Sequence, residues 1–234
     1  MSKKLTLILA SAILGLAVMS GAMAEVGKPT YPAMAPVAQY MIPDAKAEIA
    51  LARTAAAPSI SDGAEVRVLG KDGYATAAKG SNGFVCIVER SWGAGTDDPD
   101  FWNPKVRSPI CFNPAAARSF MPVYLMRTKL VLAGKSKAEI VQATDAAFDK
   151  KELPALEPGA MCYMTSKQQY LNDRGVHWHP HLMFFVSGDA AKSWGADLPG
   201  SPVMAANDPE ERATIMMVWV HDWSDGTPGP QMTH

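Results

Sequence analysis

The sequence is short of several residue types whose scarcity is informative. Among its 234 residues there are three cysteines and five histidines, and 22 basic residues almost balance 23 acidic ones. So few cysteines exclude a small disulfide-dense scaffold. The near-zero net charge argues against a dedicated nucleic-acid binder, which normally gathers basic residues on one face. Hydrophobic residues make up 48% of the chain, and this excludes a disordered chain.

Motifs that would assign a reaction are also missing. No Gly-x-Ser-x-Gly segment marks a nucleophile elbow, and Gly93-Ala-Gly95 is followed by Thr and Asp rather than by a phosphate-binding pattern. The acidic residues Asp97, Asp98 and Asp100 lack the closing glutamate of a calcium loop. Motifs therefore leave open whether the protein is an enzyme.

The N-terminus carries the features of a secretory signal. Lys3 and Lys4 precede the apolar run 5–19, and Ala22-Met23-Ala24 matches a small-x-small cleavage site. The alternative is a membrane anchor, but a span needs about 20 apolar residues and this run is shorter. We expect residues 1–24 to be a signal peptide and the protein to be periplasmic or secreted in a bacterium.

The rest of the chain is expected to form one mixed domain. Residues 25–43 contain four prolines and predict an extended arm, 44–226 the domain, and 227–234 a disordered tail. An Asp-Gly turn at 72–73 between alternating segments is typical of a β-hairpin. Strands are predicted over 65–69, 74–78, 84–88, 161–165, 177–187 and 213–222, with a loop over 91–114.

Helix signals lie between these strands. A helix is predicted over 45–57, with Pro58 ending it. A central pair follows: Pro114 begins the first helix, which Pro122 must break or restart, and the capping box Ser136–Glu139 begins the second. Strands, then helices, then strands predict an α+β fold with a mainly antiparallel sheet, an N-terminal helix and a central pair of helices.

The cysteines bear on the compartment. Export would place Cys86, Cys111 and Cys162 in an oxidising space, where thiols tend to pair. Cys86 and Cys111 flank the predicted long loop, and closing it would contribute about 3 kcal/mol. This pair is therefore the first choice for a disulfide. The alternative is three buried, reduced cysteines.

The clustering of histidines is the feature of the sequence that suggests a metal-binding site. His177, His179 and His181 lie within five residues, and on a strand all three would project from one face. His221, at the end of the last predicted strand, is a candidate further ligand. Asp222 beside it is a candidate partner that orients an imidazole. Imidazole suits zinc or copper, so the element stays open.

Pro180 favours a different interpretation of the same residues. Proline is found at strand entries and sheet edges, so His177 and His179 would then lie in a loop. His181 would be an ordinary polar residue at the start of the strand.

Methionine sharpens the metal hypothesis. There are 14 in the chain, and Met161, Met164 and Met183 lie close to the histidines in sequence. Thioether with imidazole would suit copper, although methionine at strand positions is more often flexible core packing.

Four segments resemble those of a family of uncharacterised exported bacterial proteins. They are Gly80–Cys86 (GSNGFVC), Glu157–Met164 (EPGAMCYM), Trp178–Phe185 (WHPHLMFF) and Trp223–Gly226 (WSDG). The likeness covers most of the chain after the signal. It implies an exported bacterial protein and supplies no activity, so no residue role is carried over.

Two functional hypotheses follow. The first is a non-enzymatic exported domain that binds a small molecule, envelope component or protein in an aromatic-lined cleft. It would have no nucleic-acid partner and no integral membrane segment once the signal is removed. The second is a zinc or copper protein in which His179 and His181 bind the ion with His177 or His221. As an enzyme it would perform metal-assisted hydrolysis or redox chemistry.

Overall fold

A computed structural model describes residues 31–173, 178–188 and 190–230. The predicted signal peptide, the first residues of the arm, His177 and the last four residues of the tail lie outside the described residues.

Within this part of the chain, five α-helices and eight strands follow the predicted order of strands, helices and strands. They are α1 (Ala45–Arg53), α2 (Pro58–Ser61), β1 (Glu65–Gly70), β2 (Gly73–Ala78), β3 (Val85–Glu89), β4 (Ser108–Phe112), α3 (Pro114–Ser119), α4 (Met121–Leu132), α5 (Lys137–Asp149), β5 (Met161–Met164), β6 (His181–Ser187), β7 (Val203–Asp208) and β8 (Ala213–Trp219). The α+β prediction is confirmed.

The strands form one sheet in the order β2-β1-β3-β4-β5-β6-β8-β7. Every neighbouring pair is antiparallel except β1 and β3, which pair in parallel through Glu65 with Val85 and Val66 with Cys86. The predicted hairpin joins β1 to β2. Its turn is completed by Gly73 at φ +113°, a backbone conformation that a residue with a Cβ rarely adopts.

Side-chain caps explain where the helices begin. The Asp44 side chain accepts a hydrogen bond from the Lys46 amide at 2.9 Å at the start of α1, and Ser136 and Glu139 form the predicted capping box of α5. α1 ends at Arg53, earlier than predicted, and Pro58 begins α2 instead of terminating α1. Proline fits the first turn of a helix because the amide it lacks has no partner there.

A new helix begins next to Pro122, as predicted. This proline lies in the first turn of α4, directly after α3 ends at Ser119. The first member of the expected helix pair is therefore two short helices.

Four strand predictions need correction. β4 lies inside the predicted loop and includes Pro109, but β5 pairs with β4 only at Cys111 and Phe112. No ladder donor is therefore needed at position 109 on that side. β7 was not predicted. β6 begins at His181 rather than at 177, and β8 ends at Trp219 rather than at 222.

The sheet buries both of its faces. On one face, here called the α4 face, Val85, Ile87 and Ile110 pack with Tyr124 of α4 and Ile140 of α5. On the opposite face Cys86, Val88 and Cys111 pack against α1. Side chains alternate between the two faces along each strand, so β3 and β4 contribute to both cores.

The predicted cysteine pair is confirmed. Cys86 and Cys111 lie directly opposite each other on β3 and β4, at disulfide distance, while Cys162 on β5 is buried and free. This pairing is compatible with an oxidising compartment. No helix in the described ranges is long and apolar enough to cross a membrane.

Both ends of the described chain contact the rest of the domain. The proline-rich segment contains a 3-10 helix, Val37–Tyr40. Tyr40 is fully buried, and its hydroxyl donates a hydrogen bond to the Trp102 carbonyl at 2.8 Å, so this part of the segment packs against the domain. At the other end, Gly229 donates to the His221 carbonyl at 2.7 Å, and this ties residues 227–230 to the end of the sheet.

Candidate functional site

The predicted histidine ligands lie in different structural settings. His181 is the first residue of β6 and is buried, whereas His179 precedes the strand. The His179 ring stacks on Trp219, with 4.4 Å between ring centroids. The alternation predicted across Pro180 therefore does not exist as one strand.

His221 lies after the end of β8 and is largely exposed. Its Nδ1 is 2.6 Å from Asp222 Oδ1, so the two side chains are in contact. His177 is outside the described residues. Over the described ranges, no three His, Cys, Asp or Glu side chains lie close enough together to hold a metal ion.

His181 is held in one tautomer. Its Nδ1 is 2.8 Å from the His179 carbonyl oxygen, and because a carbonyl only accepts, Nδ1 carries the proton and donates. Burial lowers the pKa of this imidazole, which keeps the ring neutral. Nε2 therefore presents a lone pair, and no described residue donates a hydrogen bond to it.

His181 lines a cleft of about 250 Å³ on the α4 face of the sheet. Its floor consists of side chains from five strands: Glu89 of β3, Ser108 of β4, Met164 of β5, His181 and Met183 of β6, and Met217 of β8. The walls are formed by Arg90, Ser91, Gly93, Ala94, Asp98, Asp100 and Val106 on one side and by Leu171, Asn172 and Trp178 on the other.

Methionine, rather than aromatic side chains, gives the cleft its apolar character. Met164, Met183 and Met217 lie on the floor, and Trp178 is the aromatic residue among the described lining side chains other than the histidine. Trp178 is 36% exposed. Methionine side chains are flexible and polarisable, so such a floor adapts to the shape of what it contacts.

Glu89 is the unusual polar group of the cleft. It ends β3 on the same face as the core residues Val85 and Ile87. The pKa of its carboxyl is raised to about 8, chiefly by burial and also by the charge of Glu211, while the charge of Arg127 acts in the opposite direction. At neutral pH most molecules therefore carry a protonated Glu89, which can donate a hydrogen bond.

Space beside Glu89 depends on a glycine. A Cβ at Gly93 would come within 2.9 Å of Glu89 Oε2, so any side chain at this wall position would displace the carboxyl. Among the described residues, none forms a hydrogen bond or ion pair with the Glu89 carboxyl group. The group is thus available to a ligand.

A second acid and an arginine lie behind Glu89. Arg127 is fully buried, 3.4 Å from both Glu210 and Glu211, and burial raises the pKa of Glu211 to about 7. The Arg127 Nε is buried without a hydrogen-bond partner in the described structure. Two carboxyl groups with pKa values near neutrality beside one cation form a network that changes protonation in the physiological range.

The acidic wall residues are already engaged. Asp98 Oδ1 accepts a hydrogen bond from the Asp100 amide at 2.7 Å, and Asp100 Oδ1 accepts one from the Asn103 side chain at 2.9 Å. These contacts fold the wall segment into a tight turn and fix its shape.

Sequence reasoning missed Glu89, Arg127 and Glu211. A charged residue at a strand end or in a helix is usually solvated, and these three come from distant parts of the chain. No family model, curated protein or solved structure matches this chain, so the site is interpreted from its own chemistry.

Proposed function

We propose that this protein is an exported, non-enzymatic domain that binds a compact small molecule in the cleft. The observation that carries the proposal is a methionine-floored cavity that is also lined by two polar side chains, Glu89 and His181. Its volume of about 250 Å³ is slightly below the ~300–1,000 Å³ of drug-sized ligand sites.

The chemistry of the two polar groups defines the ligand. A protonated Glu89 donates to an acceptor such as a carbonyl or ether oxygen, and His181 Nε2 accepts from an N–H or O–H group. The ligand would therefore be a neutral molecule with an apolar body, one acceptor and one donor. A protein or an extended envelope polymer fits a cavity of this small volume less well.

Export rests on two supports. The N-terminal sequence predicts a signal cleaved after Ala24, and Cys86 and Cys111 lie at disulfide distance. Mass spectrometry of the protein recovered from the periplasm or medium tests this. A mass beginning at Glu25 and lacking two cysteine hydrogens is the expected result, and an intact N-terminus would contradict it.

Ligand-observed NMR with a mixture of small neutral amides and alcohols tests binding. Ala94 is exposed at the cleft wall with an extended backbone, so Ala94→Trp would block the cavity without burying new bulk in the core. Ala155→Trp, at an exposed position on a different groove, is the matched control. Fragments should bind the unmodified protein and Ala155→Trp but not Ala94→Trp.

Two results would overturn the proposal. One is equal fragment binding to the unmodified protein and to Ala94→Trp, or no binding to either. The other is conversion of a bound fragment into product over the same NMR time course, which would make the protein an enzyme.

The pH dependence of fragment binding identifies the Glu89 role. If the protonated acid donates to the ligand, affinity falls as pH rises through about 8. Glu89→Gln keeps a neutral donor at every pH, so its affinity should stay constant. An affinity that instead rises with pH would show that the ligand is a cation paired with the ionised carboxylate.

The histidine-ligated zinc or copper hypothesis has less support. His179 is stacked on Trp219, His221 pairs with Asp222 outside the cleft, and His181 alone of the described histidines lines the cavity.

A further inference from the structure

Four soft or borderline donor groups are neighbours on the cleft floor. His181 lies directly opposite Met164 on β5, and Met183 lies directly opposite Met217 on β8. His181 and Met183 are two residues apart on β6, so both project from the α4 face. Facing residues have Cβ atoms about 4.5–5.5 Å apart, and the three rotatable bonds of methionine allow its sulfur to approach a shared point.

Met164 is buried in the core at 6% exposure, but the other two methionines differ from an ordinary packed methionine. Met183 and Met217 are only partly buried and line the cavity, whereas Met216, the next residue of β8, projects from the opposite face and is 0% exposed. Their thioethers therefore border open space that a small ion can enter.

His181 has the arrangement of a metal-binding histidine. Nδ1 donates to the His179 carbonyl at 2.8 Å, which orients the ring and leaves Nε2 unprotonated, and the His181 side chain lines the cleft. Metal-ligating histidines almost always donate their other ring N–H in this way. Because the ring is neutral, a metal need not displace a proton from it.

We propose that Met164, His181, Met183 and Met217 bind one Cu(I) ion at the cleft floor. Thioether sulfur selects Cu(I), and imidazole is compatible with it. This donor set differs from the four-histidine site considered from the sequence, since three of its ligands are methionines. The inference goes beyond the proposed function, because the floor can hold an ion whether or not the cleft admits an organic ligand. Binding involves no electron transfer, and Cu(I) enters and remains in the same oxidation state.

Anaerobic titration of the folded, disulfide-intact protein with Cu(I) against a chromogenic Cu(I) chelator tests the proposal. One equivalent should be withdrawn from the chelator. Met183→Leu and Met217→Leu remove sulfur while nearly conserving volume, and each should weaken Cu(I) binding about tenfold or more, as His181→Ala should. Met216→Leu on the opposite face is the matched control and should bind like the unmodified protein.

A second measurement guards against a thiol site. Cys162 is free and lies opposite Met183, so a Cys162→Ala variant is titrated in parallel. X-ray absorption of the loaded protein should report sulfur and nitrogen neighbours of copper, with the nitrogen contribution lost in His181→Ala.

The outcomes separate cleanly. No stoichiometric Cu(I) binding, or binding abolished by Cys162→Ala yet unaffected by Met183→Leu and Met217→Leu, would overturn the copper site. Fragment binding that disappears in Ala94→Trp would leave the proposed function standing in either event. Copper binding without fragment binding would instead support the metal site and remove the organic-ligand proposal.

Discussion

Two buried arginines lie at the wall of the cleft, Arg90 within the wall segment and Arg127 against it, and they differ in how many of their hydrogen bonds are made. Arg90 is buried in an ion pair with Glu48 at 2.9 Å. Its Nε donates to the Tyr40 carbonyl at 2.6 Å and its Nη1 donates to the Val88 carbonyl. Glu48 in turn accepts from the Leu69 amide at 3.2 Å. Every charged group of this pair therefore has a close partner.

Arg127 is equally buried but loosely held. Its carboxylate contacts are at 3.4 Å, its Nη1 lies 3.2 Å from the Trp92 and Ala94 carbonyls, and its Nε has no partner in the described structure. Two neighbouring acids, Glu89 and Glu211, have raised pKa values.

The difference assigns a structural role to the Arg90 ion pair and a role at the cleft to the Arg127 group. A buried ion pair resists change when all its hydrogen bonds are made, because losing one partner leaves an uncompensated charge. The Arg90 pair meets this condition and links the N-terminal segment, α1 and β3. The Arg127 group does not meet it. More carboxyl groups surround Arg127 than one cation can neutralise, so protonation of a carboxyl is favoured, and this provides the neutral Glu89 carboxyl at the cleft.

Arg90→Met should be the most damaging change. It leaves the Glu48 carboxylate buried without its cation, so we expect a loss of about 3–5 kcal/mol in the free energy of unfolding. Denaturant unfolding monitored by circular dichroism measures this. The matched control is Arg118→Met, which breaks a surface pair with Glu157 and should cost at most about 1 kcal/mol. Equal losses in the two variants would contradict our account.

The cysteine pair reinforces the same side of the molecule. Replacing both Cys86 and Cys111 by Ala should lower the free energy of unfolding by about 3 kcal/mol, because the loop between them regains its freedom in the unfolded chain. Urea unfolding under non-reducing conditions measures the loss. Addition of a reductant should then destabilise the unmodified protein but not the double variant.

Arg127→Met should cost less than Arg90→Met. Its acidic partners can take up protons when the cation is removed, so we expect a loss of about 2 kcal/mol near pH 6. The loss should grow at pH 8, where keeping Glu89 and Glu211 protonated becomes more costly. A loss equal to that of Arg90→Met at both pH values would show that the two sites are equivalent.

Glu211→Gln should have the smallest effect and the opposite sign at high pH. The folded-state pKa of Glu211, about 7, lies above its ordinary value, so the folded protein retains a proton that the unfolded chain has lost. Stability therefore falls as pH rises from about 5 to 7, with a slope of at most about 1.4 kcal/mol per unit. The variant lacks this titration, so it should gain about 1 kcal/mol over the unmodified protein per pH unit within this window. Denaturant unfolding of both proteins at each end of the window measures this gain. A difference in the free energy of unfolding between them that is the same at both pH values would contradict the raised pKa.

Local signals carried most of the fold prediction. The β-hairpin whose turn contains Gly73 and the Ser136–Glu139 capping box each depend on a few consecutive residues, and both are present. β4 was missed because Pro109 is compatible with a central strand only where the neighbouring strand is short, a fact that depends on pairing with distant residues.

The site was predicted less completely for the same reason. His181 was identified from its clustering, but the strand begins after Pro180, so His179 and His181 do not alternate along one strand. Glu89 meets Arg127 and Glu211 only in the folded chain, and nothing near Glu89 in sequence indicates that its carboxyl will be desolvated. Composition indicated many methionines without showing which of them would border a cavity.

The order of strands has a consequence for how the cleft assembles. Its floor joins Met164, His181 and Met217 from β5, β6 and β8, together with Glu89 from β3. These residues meet only through long-range pairing, which forms slowly because distant segments must first be brought together. A chain still missing β8 would therefore present an incomplete floor. Occupancy of the cleft would be thermodynamically linked to the intact sheet, so a bound ligand would protect every strand that contributes to it.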